Sequence, residues 1–325
     1  MAVVSAWWGF LLLAAAAGLL TVGAELFAEN AATAGRRLGV SVLAVGLILA
    51  GAEPEELVTA IYASAQHHPG IAAGDAVGAN ITMLTLVLGL AAVIRPLAAT
   101  AQFRFYAAVA ALAGAAAAAS LLGGGVGRLG GALLVVTYMA LVVLVWRRER
   151  RPPLFGEAAE LAEEGESAEG NESAGGRASR RGTRAVLLMA AGLVAMVAGG
   201  RLAVAGAERI AGSLGLAESV VGLTFVALAT TLELFALIWA AARRGVEELA
   251  LAGLLGSVIY NATATVGIAA LVRPLAVTGI GGAAWLAAAL PAALAGWAAL
   301  AHRLGRVTGV LLLASYAGYL AVTFG

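Results

Sequence analysis

The chain has 325 residues, of which 62% are hydrophobic and 12% are charged, and it contains no cysteine. Soluble domains are about half apolar and about a quarter charged, so this composition indicates an all-α polytopic membrane protein. The net charge of +1 gives no reason to expect a nucleic-acid partner. The absence of cysteine excludes disulfides, thiol catalysis and cysteine-ligated metals.

Apolar segments long enough to cross a bilayer, about 20 residues each, recur along the whole chain. They predict about ten transmembrane helices, at residues 5–28, 40–65, 71–94, 103–123, 128–146, 185–211, 217–242, 247–271, 282–301 and 305–323. The first segment lacks a basic flank, so we expect it to be a transmembrane helix rather than a cleaved signal peptide.

One long polar segment separates the predicted helices into two sets of five. It runs from residue 146 to residue 184 and is rich in Pro, Gly, Ser and Glu, which predicts a mostly disordered loop. We therefore divide the chain into a first transmembrane repeat at 1–146, a loop at 147–184 and a second transmembrane repeat at 185–325.

The two halves of the chain are repeats of each other. GANITMLTLVLGLAAVIRPL, at 78–97, aligns without gaps with GSVIYNATATVGIAALVRPL, at 256–275, and 9 of the 20 positions are identical. We call the shift that carries Gly78 onto Gly256 the repeat offset. Because five helices is an odd number, the second copy must enter the membrane from the opposite side. Inverted repeats of this kind are typical of transporters, with the binding site near the bilayer midplane.

The distribution of arginine predicts an orientation in the membrane. If the N-terminus is outside, the cytoplasmic loops receive most of the arginines: Arg36, Arg37, Arg104, those of 147–184, Arg243, Arg244, Arg303 and Arg306. The outer loops keep few, chiefly Arg128, Arg209 and Arg273. This agrees with the positive-inside rule and predicts a multi-pass protein of the inner cell membrane with a cytoplasmic long loop.

Three carboxylates and a proline interrupt the second apolar segment, in GAEPEELVTA at residues 51–60. A carboxylate at membrane depth costs at least about 2.5 kcal/mol, so Glu53, Glu55 and Glu56 point to a function. Pro54 predicts a broken helix, whose free carbonyls, like the carboxylates, are hard ligands that suit Ca²⁺ or Na⁺. Alternatively, the acids lie at a water interface and cap a short helix.

The matching place in the second half is ALATTLELFALIW, which offers Thr230, Thr231 and Glu233 amid apolar residues. Both polar insertions precede an RPL tripeptide by similar distances, so we interpret them as two halves of one site. The alternative is an ordinary helix whose threonines hydrogen-bond to their own backbone.

The third and eighth predicted helices add further polar groups among small residues that permit close helix packing. Asn80, Ser257 and Asn261 can supply neutral oxygen ligands. Asp75, the only aspartate in the chain, lies about one turn before Asn80 and either faces the site, as a possible proton site, or lines an outer vestibule.

This arrangement resembles the sodium/calcium exchanger family, within the cation/calcium antiporter superfamily. The first copy reads GAEPEELVTA, AAGDAVGANI and VIRPL, and the second reads ALATTLELFA, ALAGLLGSVI and LVRPL. In that family each of two inverted repeats has a GTSLPE-like break followed by a GN-V-GSN-N stretch. The resemblance covers most of the chain.

The resemblance implies specific roles at matching positions. Glu56 matches the ion-binding glutamate of the first copy, whereas the second copy has Leu234 there, with Glu233 one residue earlier. Val258 stands where the family has Asn or Asp, so the second half-site is depleted and the first is rich in acids. The predicted ion-binding residues are Glu53, Glu55, Glu56, Asn80, Thr230, Thr231, Glu233, Ser257 and Asn261, with Glu56, Glu233 and Asn80 as the expected metal ligands.

The resemblance implies a secondary antiporter that exchanges Ca²⁺, or a related cation, for Na⁺ or H⁺ by alternating access, without a cofactor. Its partners are inorganic cations and the lipid bilayer. Two alternatives are a cation/proton antiporter without Na⁺ coupling, since carboxylates in a low dielectric hold protons readily, and a passive cation channel.

An intramembrane enzyme does not fit the sequence. An aspartyl protease needs two aspartates and the chain has one, while His67, His68 and His302 form no HExxH zinc motif. No serine is paired with a base at membrane depth.

Overall fold

The described parts of the chain are almost entirely helical. The computed structural model describes residues 2–37, 53–149, 175–235, 238, 247–301 and 303–325. Its helices are α1 (Ala2–Arg37), α2 (Pro54–Ala65), α3 (Pro69–Ile94), α4 (Ala101–Leu121), α5 (Arg128–Glu149), α6 (Gly175–Leu214), α7 (Glu218–Thr230), α8 (Glu247–Tyr260, continuing through Asn261–Thr265 to Val266–Val272), α9 (Gly281–Ala301) and α10 (Arg306–Phe324).

Eight of the described helices are long and apolar enough to cross a membrane: α1, α3, α4, α5, α6, α8, α9 and α10. The protein is therefore an all-helical, multi-pass membrane protein. The other two helices are shorter: α2 has 12 residues, and α7 runs only from Glu218 to Thr230. Residues 40–52 of the predicted second helix, and 236–237 and 239–242 of the predicted seventh, lie outside the described residues.

Helices extend into both ends of the predicted loop at 147–184. Helix α5 continues to Glu149, and α6 begins at Gly175, well before the predicted start at 185. Residues 177–185 are rich in arginine and alanine, which both favour a helix. The polar composition of this segment is therefore compatible with a helix. The central part of the predicted loop, residues 150–174, and the arginines Arg243 and Arg244 fall in parts that the structure does not describe.

Helices α1 and α6 pack against each other in antiparallel fashion along most of their length. Their contact surface uses small residues: Gly9 lies opposite Gly206, and Gly23 lies opposite Gly192. A Cβ atom added at Gly23 would lie 2.8 Å from the carbonyl oxygen of Gly192. Close backbone approach of this kind is the usual way in which helices associate where no water is present.

Two short β-ribbons connect loops from opposite halves of the chain. Strand β1 (Leu97–Ala98) pairs with β4 (Arg303–Leu304), and β2 (Gly125–Val126) pairs with β3 (Leu275–Ala276). The repeat offset found in the sequence relates β1 to β3 and also β2 to β4. Each ribbon is therefore the repeat-equivalent of the other, with the roles of the two halves exchanged.

A third connection between the halves involves a histidine. His68, in the loop between α2 and α3, lies between two glutamates of the second half: its Nε2 is 2.8 Å from Glu208 of α6, and its Nδ1 is 2.9 Å from Glu218 of α7. The loop between α2 and α3 and the loop between α6 and α7 are therefore at the same end of the molecule.

Helices α3 and α8 form the centre of the molecule. In the apolar segment of α3 72% of the residues are buried, and in that of α8 83% are buried, whereas the value for α10 is 22%. Both helices contain a π-helical turn, at Met83–Val87 in α3 and Asn261–Thr265 in α8, and the repeat offset relates these two turns as well. Such turns insert one residue into a helix and frequently occur at functional sites.

Helix α7 approaches α3 so closely that no side chain fits between them at Gly78. A Cβ atom at that position would lie 2.2 Å from the carbonyl oxygen of Leu223, within the π-helical turn of α7 (Gly222–Val226). The lack of a side chain at Gly78 therefore sets the distance between these two helices.

We predict that Gly78→Ala destabilises the protein by about 1–3 kcal/mol, because overpacking moves the backbone of α7. Gly296→Ala is the matched control, since a Cβ atom there meets nothing within 4 Å and alanine favours a helix. Thermal unfolding in detergent measures both. Equal melting temperatures for the two variants would contradict the close packing of α3 and α7.

Candidate cation site

Two breaks in the helices bring backbone and polar side chains into the interior. The first is at Glu53, whose φ of −98° and ψ of 86° are not helical, with Pro54 as the first residue of α2. The second is at Thr231, with φ of −85° and ψ of 2°, followed by a helical turn at 232–235. The repeat offset carries Glu53 onto Thr231. The two breaks therefore lie at equivalent positions, although only the first is followed by a proline.

Three carboxylates come together beside these breaks. Glu53, Glu55 and Glu233 each place one carboxylate oxygen within 4.8 Å of the others. Glu53 and Glu55 are buried, and Glu233 is partly buried. The expected metal ligands are Glu56, Glu233 and Asn80. Of these only Glu233 belongs to this group, and Glu53 and Glu55 are its other two members. Glu55 and Glu233 are themselves repeat-equivalent residues, so the acidic centre (Glu53, Glu55 and Glu233) draws on both halves.

Ser257 of α8 lies directly against the acidic centre. Its hydroxyl donates a hydrogen bond to Oε1 of Glu53 and is also 3.3 Å from the carbonyl oxygen of Gly253. The other carboxylate oxygen of Glu53, Oε2, is buried and accepts no hydrogen bond. This oxygen is therefore available to a cation.

Glu56 is fully buried, with an exposed fraction of 0%. Neither of its carboxylate oxygens accepts a hydrogen bond, although the side chain of Asn261 is close by. The Oδ1 of Asn261 accepts a hydrogen bond from the Thr265 hydroxyl at 3.2 Å, and its Nδ2 is buried without a hydrogen-bond partner. The Glu56 carboxylate and the Asn261 side chain therefore lie together in the interior.

Asn80 joins α3 to α8 near the site. Its Nδ2 donates to the carbonyl oxygen of Val258 at 3.1 Å, and these two residues are repeat-equivalents. Its Oδ1 is buried and has no hydrogen-bond partner, so the amide oxygen is available as a neutral ligand.

The two threonines at the second break differ in their contacts. The Thr231 hydroxyl donates to the carbonyl oxygen of Ala227 at 2.8 Å, which is the bonding that the ordinary-helix alternative expects. The Thr230 hydroxyl lies within hydrogen-bond distance of Oδ1 of Asp75, at 3.1 Å, and also of two carbonyl oxygens of its own helix, those of Val226 at 3.3 Å and Ala227 at 3.2 Å. Asp75 is 1% exposed, so its side chain is buried in this structure.

Tyr260 is a further residue beside the site that the sequence analysis did not identify. It is buried, interacts electrostatically with Glu53, Glu55 and Glu56, and packs edge-to-face on Tyr138 with ring centroids 5.4 Å apart. Its position directly before Asn261 was the only signal in the sequence.

The site is strongly acidic, and the atoms it offers to a metal ion are oxygens. Among the described residues, no arginine or histidine forms an ion pair with Glu53, Glu56 or Asp75. Buried charges of this kind require compensation. Carboxylate, amide and hydroxyl oxygens bind hard cations such as Ca²⁺ and Na⁺ in preference to soft transition metals.

Comparison with known sequences identifies the family. The sequence model of the family described as "Sodium/calcium exchanger protein" matches residues 8–147 and 184–325. The chain is 28% identical to a putative antiporter, CaxA, of Alkalimonas amylolytica over 319 residues, covering 94% of this chain and 95% of that protein. It is 38% identical to the sodium/calcium exchanger MaX1 of Methanosarcina acetivorans over 90 residues, covering 27% of this chain and 26% of that protein.

Solved structures show the same relationship. The sodium-calcium exchanger NCX_Mj, soaked with 2.5 mM Na⁺ and 0.1 mM Ca²⁺, aligns with a TM-score of 0.60 and 26% identity, covering 99% of both chains. The same exchanger soaked with zero Na⁺ and Ca²⁺ aligns with a TM-score of 0.59 and 25% identity, again over 99% of both chains. The chain thus belongs to the sodium/calcium exchanger family and is a multi-pass membrane cation antiporter rather than an enzyme.

Proposed function

We propose that this antiporter exchanges Ca²⁺, or a related divalent cation, for Na⁺ or H⁺. The observation that carries the proposal is the acidic centre, whose three carboxylate oxygens lie within 4.8 Å of one another. Carboxylate oxygens gathered this closely can bind one hard cation such as Ca²⁺ together.

The proposed ligands are the oxygens gathered around this centre. Glu53, Glu55 and Glu233 bind the divalent cation, and Asn80 offers a neutral oxygen from α3. Glu56 lies within electrostatic range of Glu53 and Glu233, so it contributes negative charge to the same site. Ser257, Thr230, Thr231 and Asn261 complete the site as ligands or by orienting the carboxylates.

Charge compensation explains why transport takes the form of exchange. An uncompensated group of buried carboxylates is costly, so a bound cation leaves only when other cations or protons replace it. A site of this kind does not return empty across the membrane, which distinguishes an exchanger from a channel lined by the same oxygens.

The architecture we propose is ten transmembrane helices arranged as two inverted five-helix repeats, 1–146 and 185–325. Its support is the pair of repeat-equivalent ribbons, β1–β4 and β2–β3. If each ribbon lies on a different membrane face, the two halves have opposite orientations. The distribution of arginine then places the N-terminus outside and the 147–184 segment in the cytoplasm of an inner-membrane protein.

Alternating access in this proposal is a movement of α1 and α6 relative to the other helices. These two helices pack on each other far more extensively than α1 packs against any other element. They are therefore suited to move as one unit, which opens the acidic centre first to one side of the membrane and then to the other.

A flux assay tests the proposed exchange and identifies the counter-ion. We expect purified protein in liposomes to take up ⁴⁵Ca²⁺ when an outward Na⁺ gradient or an outward H⁺ gradient is imposed, and not in the absence of both. Uptake driven only by the H⁺ gradient would identify the cation/proton alternative. No gradient-driven uptake above protein-free liposomes would contradict the proposal.

A substitution tests the acidic centre. We expect Glu233→Gln to weaken Ca²⁺ binding at least about ten-fold, because a charge-assisted contact contributes about 1.5–3 kcal/mol. Glu29→Gln, at an exposed position of α1, is the control and should bind as the wild type does. Calorimetric titration of the detergent-solubilised protein measures both. Wild-type affinity in Glu233→Gln would place the Ca²⁺ site elsewhere.

A further inference from the structure

Asp75 is the carboxylate whose role the exchanger site leaves open. It lies on α3, and its Oδ1 is 3.1 Å from the hydroxyl of Thr230, the last residue of α7 before the break. It also lies within electrostatic range of Glu56. Asp75 and Thr230 therefore form a contact between the two halves of the chain, near Glu56.

The surroundings of Asp75 do not neutralise its charge. The side chain is 1% exposed, and it forms no ion pair among the described residues. A single neutral hydroxyl does not offset the cost of removing a carboxylate from water, which is several kcal/mol in proteins. Asp75 therefore needs either a bound cation or a proton of its own, and the position of the contact beside the other carboxylates favours a cation.

Close packing between α3 and α7 accounts for this contact. At Gly74, next to Asp75, an added Cβ atom would lie 2.9 Å from the backbone nitrogen of Leu223 and 2.9 Å from the carbonyl oxygen of Ser219. The helices are close enough for the short side chain of an aspartate to reach Thr230. The chain contains no other aspartate.

The contact between Asp75 and Thr230 has no counterpart at the equivalent positions of the other repeat. By the repeat offset, Asp75 corresponds to Gly253 and Thr230 corresponds to Ala52. In the same alignment, Glu56 corresponds to Leu234, so the second repeat has no carboxylate of its own at that position. Asp75 thus places a first-repeat carboxylate against the hydroxyl of the second repeat.

We propose that Asp75 is a cation ligand that acts together with Thr230, supplies the carboxylate that the second repeat lacks at Leu234, and sets how many positive charges the site binds. This inference rests on the proposed exchange function. It differs from a structural role for Asp75, in which the side chain serves only to accept the hydrogen bond from Thr230.

The substitution Asp75→Asn separates these two roles, because an asparagine keeps the shape and a hydrogen-bond acceptor for Thr230 but removes the charge. We expect the variant to fold and, without cations, to be at least as stable as the wild type, since a buried charge is gone. We expect cation affinity, titrated with Ca²⁺ and with Na⁺, to fall at least about ten-fold for one of the two ions.

Transport measurements give an independent result. In liposomes held at defined membrane voltages, the voltage at which net flux stops gives the transport stoichiometry, which is the number of counter-ions exchanged per Ca²⁺. We expect Asp75→Asn to change this ratio, because the site requires one positive charge fewer. Wild-type affinities for both ions together with an unchanged ratio would overturn the proposal.

A second pair of variants keeps the proposal testable if Asp75→Asn does not fold. Thr230→Val removes the hydroxyl that faces Asp75, and we expect it to weaken the binding of the same ion. Thr85→Val is the matched control, because Thr85 is 1% exposed and its hydroxyl bonds only to the backbone of its own helix, at Ile81. Equal affinity in the two variants would overturn the proposal.

The outcome also distinguishes this inference from the exchange function. If the wild type shows no gradient-driven uptake, the proposed exchange fails and the role of Asp75 fails with it. If the wild type exchanges cations and both Asp75→Asn and Thr230→Val bind and transport as the wild type does, only the inference about Asp75 fails.

Discussion

The burial of carboxylates in an apolar protein is the constraint on which the rest of this structure depends. Glu53, Glu55 and Glu56 are 4%, 1% and 0% exposed, and a membrane offers no water to solvate them. Their negative charge is tolerated only when cations or protons are bound. The same requirement therefore supports both the proposed binding of hard cations at this site and an exchange form of transport.

The scaffold that holds these charges is symmetric, but the charges are not. The helix breaks at Glu53 and Thr231, the π-helical turns of α3 and α8, and the two ribbons are all related by the same repeat offset. In contrast, the first repeat supplies most of the acids at the site, and the second supplies only Glu233. Symmetric backbone geometry can thus be retained while the polar side chains of the two halves diverge.

The membrane helices are readable from the sequence, because long apolar segments predict them, whereas the inversion that an odd number of helices per repeat predicts stays a proposal. The break at Pro54 follows from the chemistry of proline. The contact between Asp75 and Thr230 does not, since it depends on how closely α3 and α7 pack at Gly74 and Gly78. The extra turns of α6 were missed because polar composition describes solvent exposure and does not exclude a helix.

The contact between α3 and α8 bears on which helices move in the proposed alternating access. Asn80 hydrogen-bonds to the backbone of its own repeat-equivalent, Val258, so equivalent positions of the two repeats meet at that point. These helices are the most buried, and their contact lies beside the acidic centre. A movement that separated them would break this bond and expose unpaired buried groups. Motion is therefore less costly at the periphery, where α1 and α6 pack mainly on each other.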